Sequence, residues 1–198
     1  MPIAFHPIQL NTLNGPVNYV RPQQVLPEHV TADSPAVDVM TDLKLTTTVT
    51  VSPAKTVDDA LQIMVHKGVR MLLVEDLQCR VIGLLTATDI QGEKPMLFSQ
   101  NSGVKHAEVL VGDIMVSIGN IEVMDFSEVS HSQVGDIVKT LTQAGRQHAL
   151  VTELREGDRG VLIRGIFSTS QISQQMGISI KPTEKAQTFV ELEAAIAH

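Results

Sequence analysis

The chain has 198 residues, of which 43% are hydrophobic and 19% charged, a composition typical of a globular protein that buries a core. Its net charge of −7 argues against binding to nucleic acids or to anionic membrane surfaces, because both depend on clustered Lys and Arg. The single cysteine, Cys79, excludes an intrachain disulfide. No apolar run approaches the roughly 18 residues of a membrane span, so we expect a cytoplasmic protein.

The first 35 residues contain prolines at positions 2, 7, 16, 22, 27 and 35, interleaved with apolar side chains. Proline at this density opposes a regular helix, and the apolar content is too high for a free flexible linker. We predict an extended arm over residues 1–35 that packs on its own domain or on a neighbouring subunit. Disorder is the alternative that the sequence leaves open.

A regular pattern begins at Ala36. After a short apolar turn, the sequence predicts a strand over 48–51, a helix that starts after Thr56 and stops at Gly68, and two further strands over 71–74 and 81–85. The apolar side chains at helical spacing are Val57, Ala60, Leu61, Met64 and Val65. The order of elements is therefore β-α-β-β-α, once the helix that follows the last strand is included.

That last helix begins in residues 83–90, where a buried strand ends in two threonines and an aspartate. Thr86 is a natural N-cap and Asp89 lies three residues further on. A strand that leads directly into a helix N-terminus presents free N–H groups, which suit an anion. The hydroxyls of Thr86 and Thr88 can add hydrogen bonds to a phosphate, and the carboxylate of Asp89 can accept from two ribose hydroxyls. A capping box without any ligand explains the same residues.

The whole unit is repeated. After a polar linker over 91–105, residues 133–145 repeat 56–68 at an offset of 77 (145 − 68). Residues 164–172 then repeat the strand-to-helix motif, with Gly165 matching Gly83 at an offset of 82 (165 − 83). The five extra residues lie in a predicted turn, where a duplication tolerates an insertion.

Two such units in tandem resemble a pair of CBS domains, the Bateman module. The resemblance rests on residues 38–41, 49–53, 56–60, 68–74 and 83–90, and on 112–115, 145–151 and 165–172 in the second copy. It implies an α/β (α+β) fold in which two β-α-β-β-α units pack about a pseudo-twofold axis. The boundaries we expect are an arm over 1–35, units over 36–92 and 110–177, a linker over 93–109, and a tail over 178–198. Phe189, Leu192, Ala195 and Ile196 predict an amphipathic helix in that tail.

The resemblance also implies two clefts that bind adenosine-containing ligands: AMP, ADP or ATP, and in some families S-adenosylmethionine or a dinucleotide. Transferred to this chain, Asp89 is the ribose residue, and Thr86 and Thr88 contact phosphate or ribose. Arg70 matches a basic position at the start of a strand, and we expect Arg146 to face the same cleft from the second unit. A solvated surface charge is the alternative for Arg70, since arginine is usually exposed.

The second copy departs from the pattern because Gln171 stands where the first has Asp89, and Ser168 stands for Thr86. A neutral amide lacks the charge-assisted bonds of a carboxylate, a loss of about 1.5–3 kcal/mol. We therefore predict a weaker second site formed by Ser168, Ser170, Gln171 and His148.

Catalytic patterns are absent from the sequence. The seven histidines show no metal-binding spacing, and neither a Walker A loop, a Gly-x-Ser-x-Gly elbow nor a Rossmann fingerprint occurs. We predict a regulatory module without a metal or catalytic cofactor, a homodimer that senses an adenine nucleotide for a regulated protein that the sequence does not identify. A structural dimerisation or adaptor protein with empty clefts is the alternative, and a small enzyme is a third, disfavoured hypothesis.

Overall fold

A computed structural model describes residues 22–154 and 160–180. The predicted tail helix over 184–198 and the first 21 residues of the arm lie outside these ranges. The helices are α1 Val57–Lys67, α2 Ala87–Gln91, α3 Lys94–Ser102, α4 Val111–Ile114, α5 Phe126–Val129, α6 Val134–Gln143 and α7 Thr169–Met176. The strands are β1 Thr41–Asp42, β2 Thr50–Val51, β3 Met71–Glu75, β4 Val81–Thr86, β5 Val116–Ser117, β6 Val123–Asp125, β7 His148–Leu154 and β8 Val161–Ser168. Short 3₁₀ helices span Ala36–Val39, His106–Glu108 and Ile118–Asn120.

The strands form two four-stranded sheets, in the orders β2-β3-β4-β5 and β1-β8-β7-β6. In each sheet the central hairpin is antiparallel, and the strand that precedes the long helix pairs parallel to it. The mixed fold and the duplicated order of elements confirm the sequence prediction. Most of the insertion that the sequence analysis placed in the turn lengthens the strands instead, since β7 and β8 have seven and eight residues whereas β3 and β4 have five and six.

The helix predicted after Thr56 is confirmed as α1. The Thr56 hydroxyl accepts a hydrogen bond from the Asp59 amide, and Gly68 ends the helix with a φ of 66°. The left-handed conformation favours glycine there, because it has no Cβ to clash.

The opening segment of each unit crosses to the other sheet. β1 pairs with β8, and β5 pairs with β4. The sequence places residues 37–41 at the opening of the first unit, yet Ala36, Val39 and Met40 are buried in the core of the second sheet with α6 and α7. The predicted units 36–92 and 110–177 therefore describe the order of elements along the chain and stay a prediction. They do not say which of the two cores a segment joins.

Two matching glycines allow this crossing. A Cβ on Gly83 would lie 2.7 Å from the Met115 sulfur and 2.8 Å from the Val116 carbonyl oxygen. A Cβ on Gly165 would lie 2.5 Å from the Met40 sulfur. Each unit therefore needs a glycine where the exchanged methionine segment lies against its central hairpin, which explains why both features repeat in the sequence.

Each sheet packs its helices over an aliphatic core on one face, and the two sheets meet through the other face. Met71 and Leu73 of β3 are buried against Leu150 of β7, with Leu84 and Ile166 packed around them. Because side chains alternate along a strand, residues in phase with Leu84 on β4 and with Leu150 on β7 face the gap between the sheets.

The predicted linker contains a helix that the sequence analysis missed. α3 has Pro95 in its first turn and ends at Gly103 with a φ of 70°. Pro is well suited to the first turn, where its missing N–H needs no partner. No long apolar stripe marked the segment, although Phe98 packs against the first core.

Candidate ligand-binding cleft

A cavity of 380 Å³ lies between the two sheets. One wall contains Thr86, Thr88 and Asp89 from the end of β4 and the start of α2. The opposite wall is formed by residues 145–150 at the start of β7, and 120–122 close one side. Apolar side chains such as Leu84 and Val116 form the floor, an arrangement typical of small-molecule sites, where few polar groups project into a mainly apolar hollow.

Strand alternation explains which side chains reach this cavity. Thr86 is in phase with Leu84, and His148 is in phase with Leu150, so both polar residues lie on the inter-sheet face just beyond the apolar contacts. The end of one strand in the first sheet and the start of one strand in the second thus form a shared site.

Thr86 and Asp89 form the capping box that the spacing predicts. The Thr86 amide and hydroxyl donate to Asp89 Oδ2 at 2.9 and 2.6 Å, and the Asp89 amide donates to the Thr86 hydroxyl at 3.2 Å. α2 spans only five residues. Its dipole is correspondingly small, so the side chains of this box, rather than the helix end, carry the polar character of the wall.

Lys94 contacts this wall through Asp89, although it does not itself line the cavity, and it was not predicted. Its Nζ lies 2.5 Å from Asp89 Oδ1, although the residue belongs to the stretch predicted as linker. Burial raises the pKa of Asp89, but hydrogen bonds from Lys94 and Thr86 outweigh it and leave that pKa below its ordinary value. Asp89 is therefore an anion at neutral pH, held by a cation from α3.

Arg146 lies on the opposite wall, where the sequence analysis expected it. Its guanidinium is 2.8 Å from Glu122 Oε2, and the Glu122 side chain is 82% exposed. Exposed pairs of this kind contribute little to stability, so the arginine can exchange its partner at small cost.

His148 lies in this cavity rather than at the second motif. Burial, and then the nearby charge of Arg70, lower the pKa of His148, so its imidazole is neutral at pH 7. The sequence analysis grouped His148 with Ser168, and the two do pair across β7 and β8. Directly paired residues share a face of the sheet, so both side chains lie on the inter-sheet face, but of the two only His148 lines the cavity.

Arg70 is exposed and is not among the residues that line the cavity. It directly precedes Met71, which lines the cavity, so its charge lies near the cavity edge. Its influence on the cavity is electrostatic, through His148.

The residues of the second motif are placed elsewhere. Ser168, Ser170 and Gln171 do not line this cavity, and Gln171 is bonded within the protein. Its Oε1 accepts from the Thr41 hydroxyl at 3.2 Å, and its Nε2 donates to the Val39 carbonyl at 3.3 Å. The exchanged opening segment thus occupies the polar groups of the amide.

Neither a metal-binding cluster nor a membrane-spanning helix occurs in the described part of the chain. In residues 22–154 and 160–180, no three His, Cys, Asp or Glu side chains converge as a metal site requires. No helix in those ranges has the length and apolar character needed to cross a bilayer.

Comparisons with known proteins give one family match and several proteins of similar fold. Residues 29–93 match the model of the CBS domain. The fold is similar to that of CBSX2, a CBS-pair protein of Arabidopsis thaliana solved in complex with AMP, at 22% identity and a TM-score of 0.50 over 71% of this chain and 94% of that one. It is also similar to an uncharacterized conserved protein from Pyrococcus horikoshii, at 22% identity and a TM-score of 0.51 over 72% of this chain and 92% of that one. No curated protein matches the sequence.

Proposed function

Because the chain contains a CBS domain and has the fold of a CBS pair, we propose that it is a regulatory module that senses an adenine nucleotide. AMP, ADP or ATP would bind in the cavity between the two sheets. The single observation that carries the proposal is the convergence of Asp89, Thr86, Arg146 and His148, from two separate units, on one cavity.

Each wall suits a different part of the ligand. The Asp89 carboxylate is an acceptor for ribose hydroxyls, and the Thr86 and Thr88 hydroxyls lie beside it. Arg146 on the facing wall is the cation for phosphate. The apolar floor at Leu84 and Val116 offers a surface for a purine ring. The solved CBSX2 complex contains AMP, which supports this ligand class for a protein of the same fold.

We further propose that the protein works as a homodimer and regulates a partner protein instead of catalysing a reaction. Val65 on α1 is 71% exposed, and Met96 and Leu97 on α3 are also exposed apolar side chains that a second copy would cover. Light scattering of the full chain tests this part: a mass of two chains supports it, and a monomer contradicts it. The cytoplasmic location stays a prediction from the sequence.

A thermal-shift panel of AMP, ADP, ATP, S-adenosylmethionine and NAD tests the binding proposal. A ligand at a hundred times its dissociation constant should add about 2.7 kcal/mol to the free energy of unfolding. Asp89→Asn keeps the size of the side chain and removes its charge, so the rise in melting temperature should be lost.

Asp136→Asn is the matched control. Asp136 closes the same type of capping box at the start of α6, where it accepts from the Gln133 amide at 3.0 Å, and it does not line the cavity. This variant should keep the ligand-induced rise. A panel in which no compound moves wild type would refute the proposal.

A structural adaptor with an empty cleft is the second candidate. One observation favours it: Asp89 and Arg146, the charged groups expected to hold ligand, already have partners in Lys94 and Glu122. A wild-type protein that dimerises and responds to none of the five compounds would support this function.

A further inference from the structure

Lys94 contacts Asp89, the residue that is expected to bind the ribose. Its Nζ is 2.5 Å from Asp89 Oδ1, the lysine side chain is 46% exposed and the aspartate only 14%. We propose that Lys94 determines the charge preference of the cleft, so that phosphorylated adenosine compounds bind and uncharged adenosine is disfavoured. This inference rests on the proposed function and assigns a specificity role within the same site.

The hydrogen-bonding capacity of Asp89 is largely used before a ligand arrives. The amide and the hydroxyl of Thr86 both donate to Oδ2. A carboxylate oxygen accepts about two hydrogen bonds, so Oδ1, which faces Lys94, is the atom left for ribose. With Lys94 already bonded to Oδ1, that oxygen has room for one ribose hydroxyl, and the second hydroxyl of the ribose competes with the ammonium ion, which makes the stronger, charge-assisted bond.

A cation displaced from Asp89 needs a new anion. The Lys94 side chain is a flexible four-carbon stem whose ammonium can move while its backbone stays in α3. Asp89 and Glu122 are already paired with Lys94 and Arg146, and Arg70 adds a further positive charge near His148, so neither of these carboxylates is free to receive a released Lys94. Adenosine would displace the lysine and offer nothing in exchange, whereas a phosphate supplies the charge that the released ammonium requires.

The position of Lys94 in its helix is unusual and supports this role. It is the first residue of the nine-residue α3, where the helix dipole disfavours a cation. The neighbouring N-cap, Glu93, makes no capping hydrogen bond through its side chain, and Pro95 is buried and fixes the start of the helix. The helix therefore gains nothing from a lysine at this point, while the cleft gains a mobile positive charge beside Asp89.

Isothermal titration calorimetry with AMP and with adenosine tests the proposal on the full-length protein. Lys94→Met keeps the length of the stem and removes the charge. We expect AMP to bind about tenfold more weakly to this variant, while adenosine binds as well as or better than it does to wild type. The ratio of the two affinities should therefore fall at least tenfold, and Lys94→Arg should restore most of it.

Lys67→Met is the control, an exposed lysine that does not line the cavity, and it should leave the ratio unchanged. Melting curves confirm that each variant is folded, as the exposure of Lys94 leads us to expect. If Lys94→Met leaves the ratio within twofold of wild type while Asp89→Asn abolishes binding, the role of Lys94 is wrong and the proposed function stands. If wild type binds neither compound, both are wrong.

Discussion

The two copies of the strand-to-helix motif use the same framework in opposite ways. In the first, Asp89 holds its own helix cap with one oxygen and a mobile lysine with the other, beside a cavity between the sheets. In the second, both ends of the Gln171 amide are bonded to Thr41 and Val39 of the exchanged segment. The first motif thus lies on an open cavity beside side-chain ion pairs, whereas the polar groups of Gln171 are bonded to the protein's own chain.

Residues of the arm also form hydrogen bonds with the exchanged segment. The Gln24 side chain donates to the Met40 carbonyl at 2.9 Å and accepts from the Asp42 amide at 2.7 Å. Gln175 of α7 donates to the Pro27 carbonyl at 2.7 Å. Residues 22–30 therefore hold the exchanged segment in place beside Gln171. The matching segment of the first cleft contains Val116, which lines the cavity. Gln171, at the position that corresponds to Asp89, is thus accompanied by a set of contacts from the arm and the exchanged segment.

The largest effect should come from the glycines beneath the two exchanged segments. Gly83→Ala places a Cβ 2.8 Å from the Val116 carbonyl oxygen, so the backbone of β5 must move. Gly165→Ala meets only the Met40 side chain. Urea unfolding should show a loss of about 1–3 kcal/mol for Gly83→Ala and a smaller loss for Gly165→Ala. Equal losses would show that the two crossings are equally tight.

Restoring the acid in the second motif should not open a second site. Gln171→Asp removes the donor to the Val39 carbonyl and sets a carboxylate near it, which should cost about 1–3 kcal/mol in urea unfolding. Calorimetry should still find the same number of AMP molecules per chain as in wild type. Gln174→Asp, an exposed neighbour on α7, is the control and should change little. An additional AMP site in Gln171→Asp would show that the contacts of the exchanged segment do not keep AMP from this motif.

Arg146 should contribute to binding more than to stability. Its partner Glu122 is largely exposed, so Arg146→Met should change the free energy of unfolding by no more than about 1 kcal/mol. AMP affinity should fall about tenfold, because a charge-assisted bond to phosphate is lost. Glu122→Gln frees the same arginine and should raise AMP affinity. Calorimetry on both variants measures the effect, and changes in the same direction would refute a phosphate role for Arg146.

The smallest effect concerns pH. Burial lowers the pKa of His148 in the folded protein below its ordinary value of 6.5. The unfolded chain thus binds the proton more readily, and stability is lost as the pH falls below 6.5 through the folded pKa. Urea unfolding between pH 7 and pH 5 should show a weaker pH dependence in His148→Gln than in wild type. His66→Gln, an exposed histidine, serves as the control, and an unchanged slope in His148→Gln would exclude this account.

Sequence reasoning was strong where local rules decide the outcome. Thr56, Gly68 and the Thr86/Asp89 box mark helix ends through hydrogen bonds within a few residues, and the duplication shows the order of elements. It was weaker for contacts between distant segments. The crossing of Ala36–Val39 into the second core depends on Gly165 and Met40, which are far apart along the chain.

The site was predicted in part for the same reason. Thr86, Thr88, Asp89 and Arg146 were named from the motif and lie on one cavity. His148 was grouped with the second motif because it lies on the matching strand, and the face-to-face packing of the sheets brings it to the cavity that Asp89 also lines. Lys94 was missed because a lysine in a polar stretch carries no signal until the fold brings α3 to Asp89. For His148, the two-residue spacing from Leu150 was the signal in the sequence that could have placed the imidazole on the inter-sheet face.

The most direct test of the account is the number of AMP molecules bound per chain, measured by calorimetry on wild type and on Asp89→Asn. A cavity at Asp89 and a Gln171 amide that is already bonded within the protein predict a single molecule per chain in wild type, whether or not the protein dimerises, and none in the variant at the same concentrations. Two molecules per chain, or one that persists in Asp89→Asn, would contradict it.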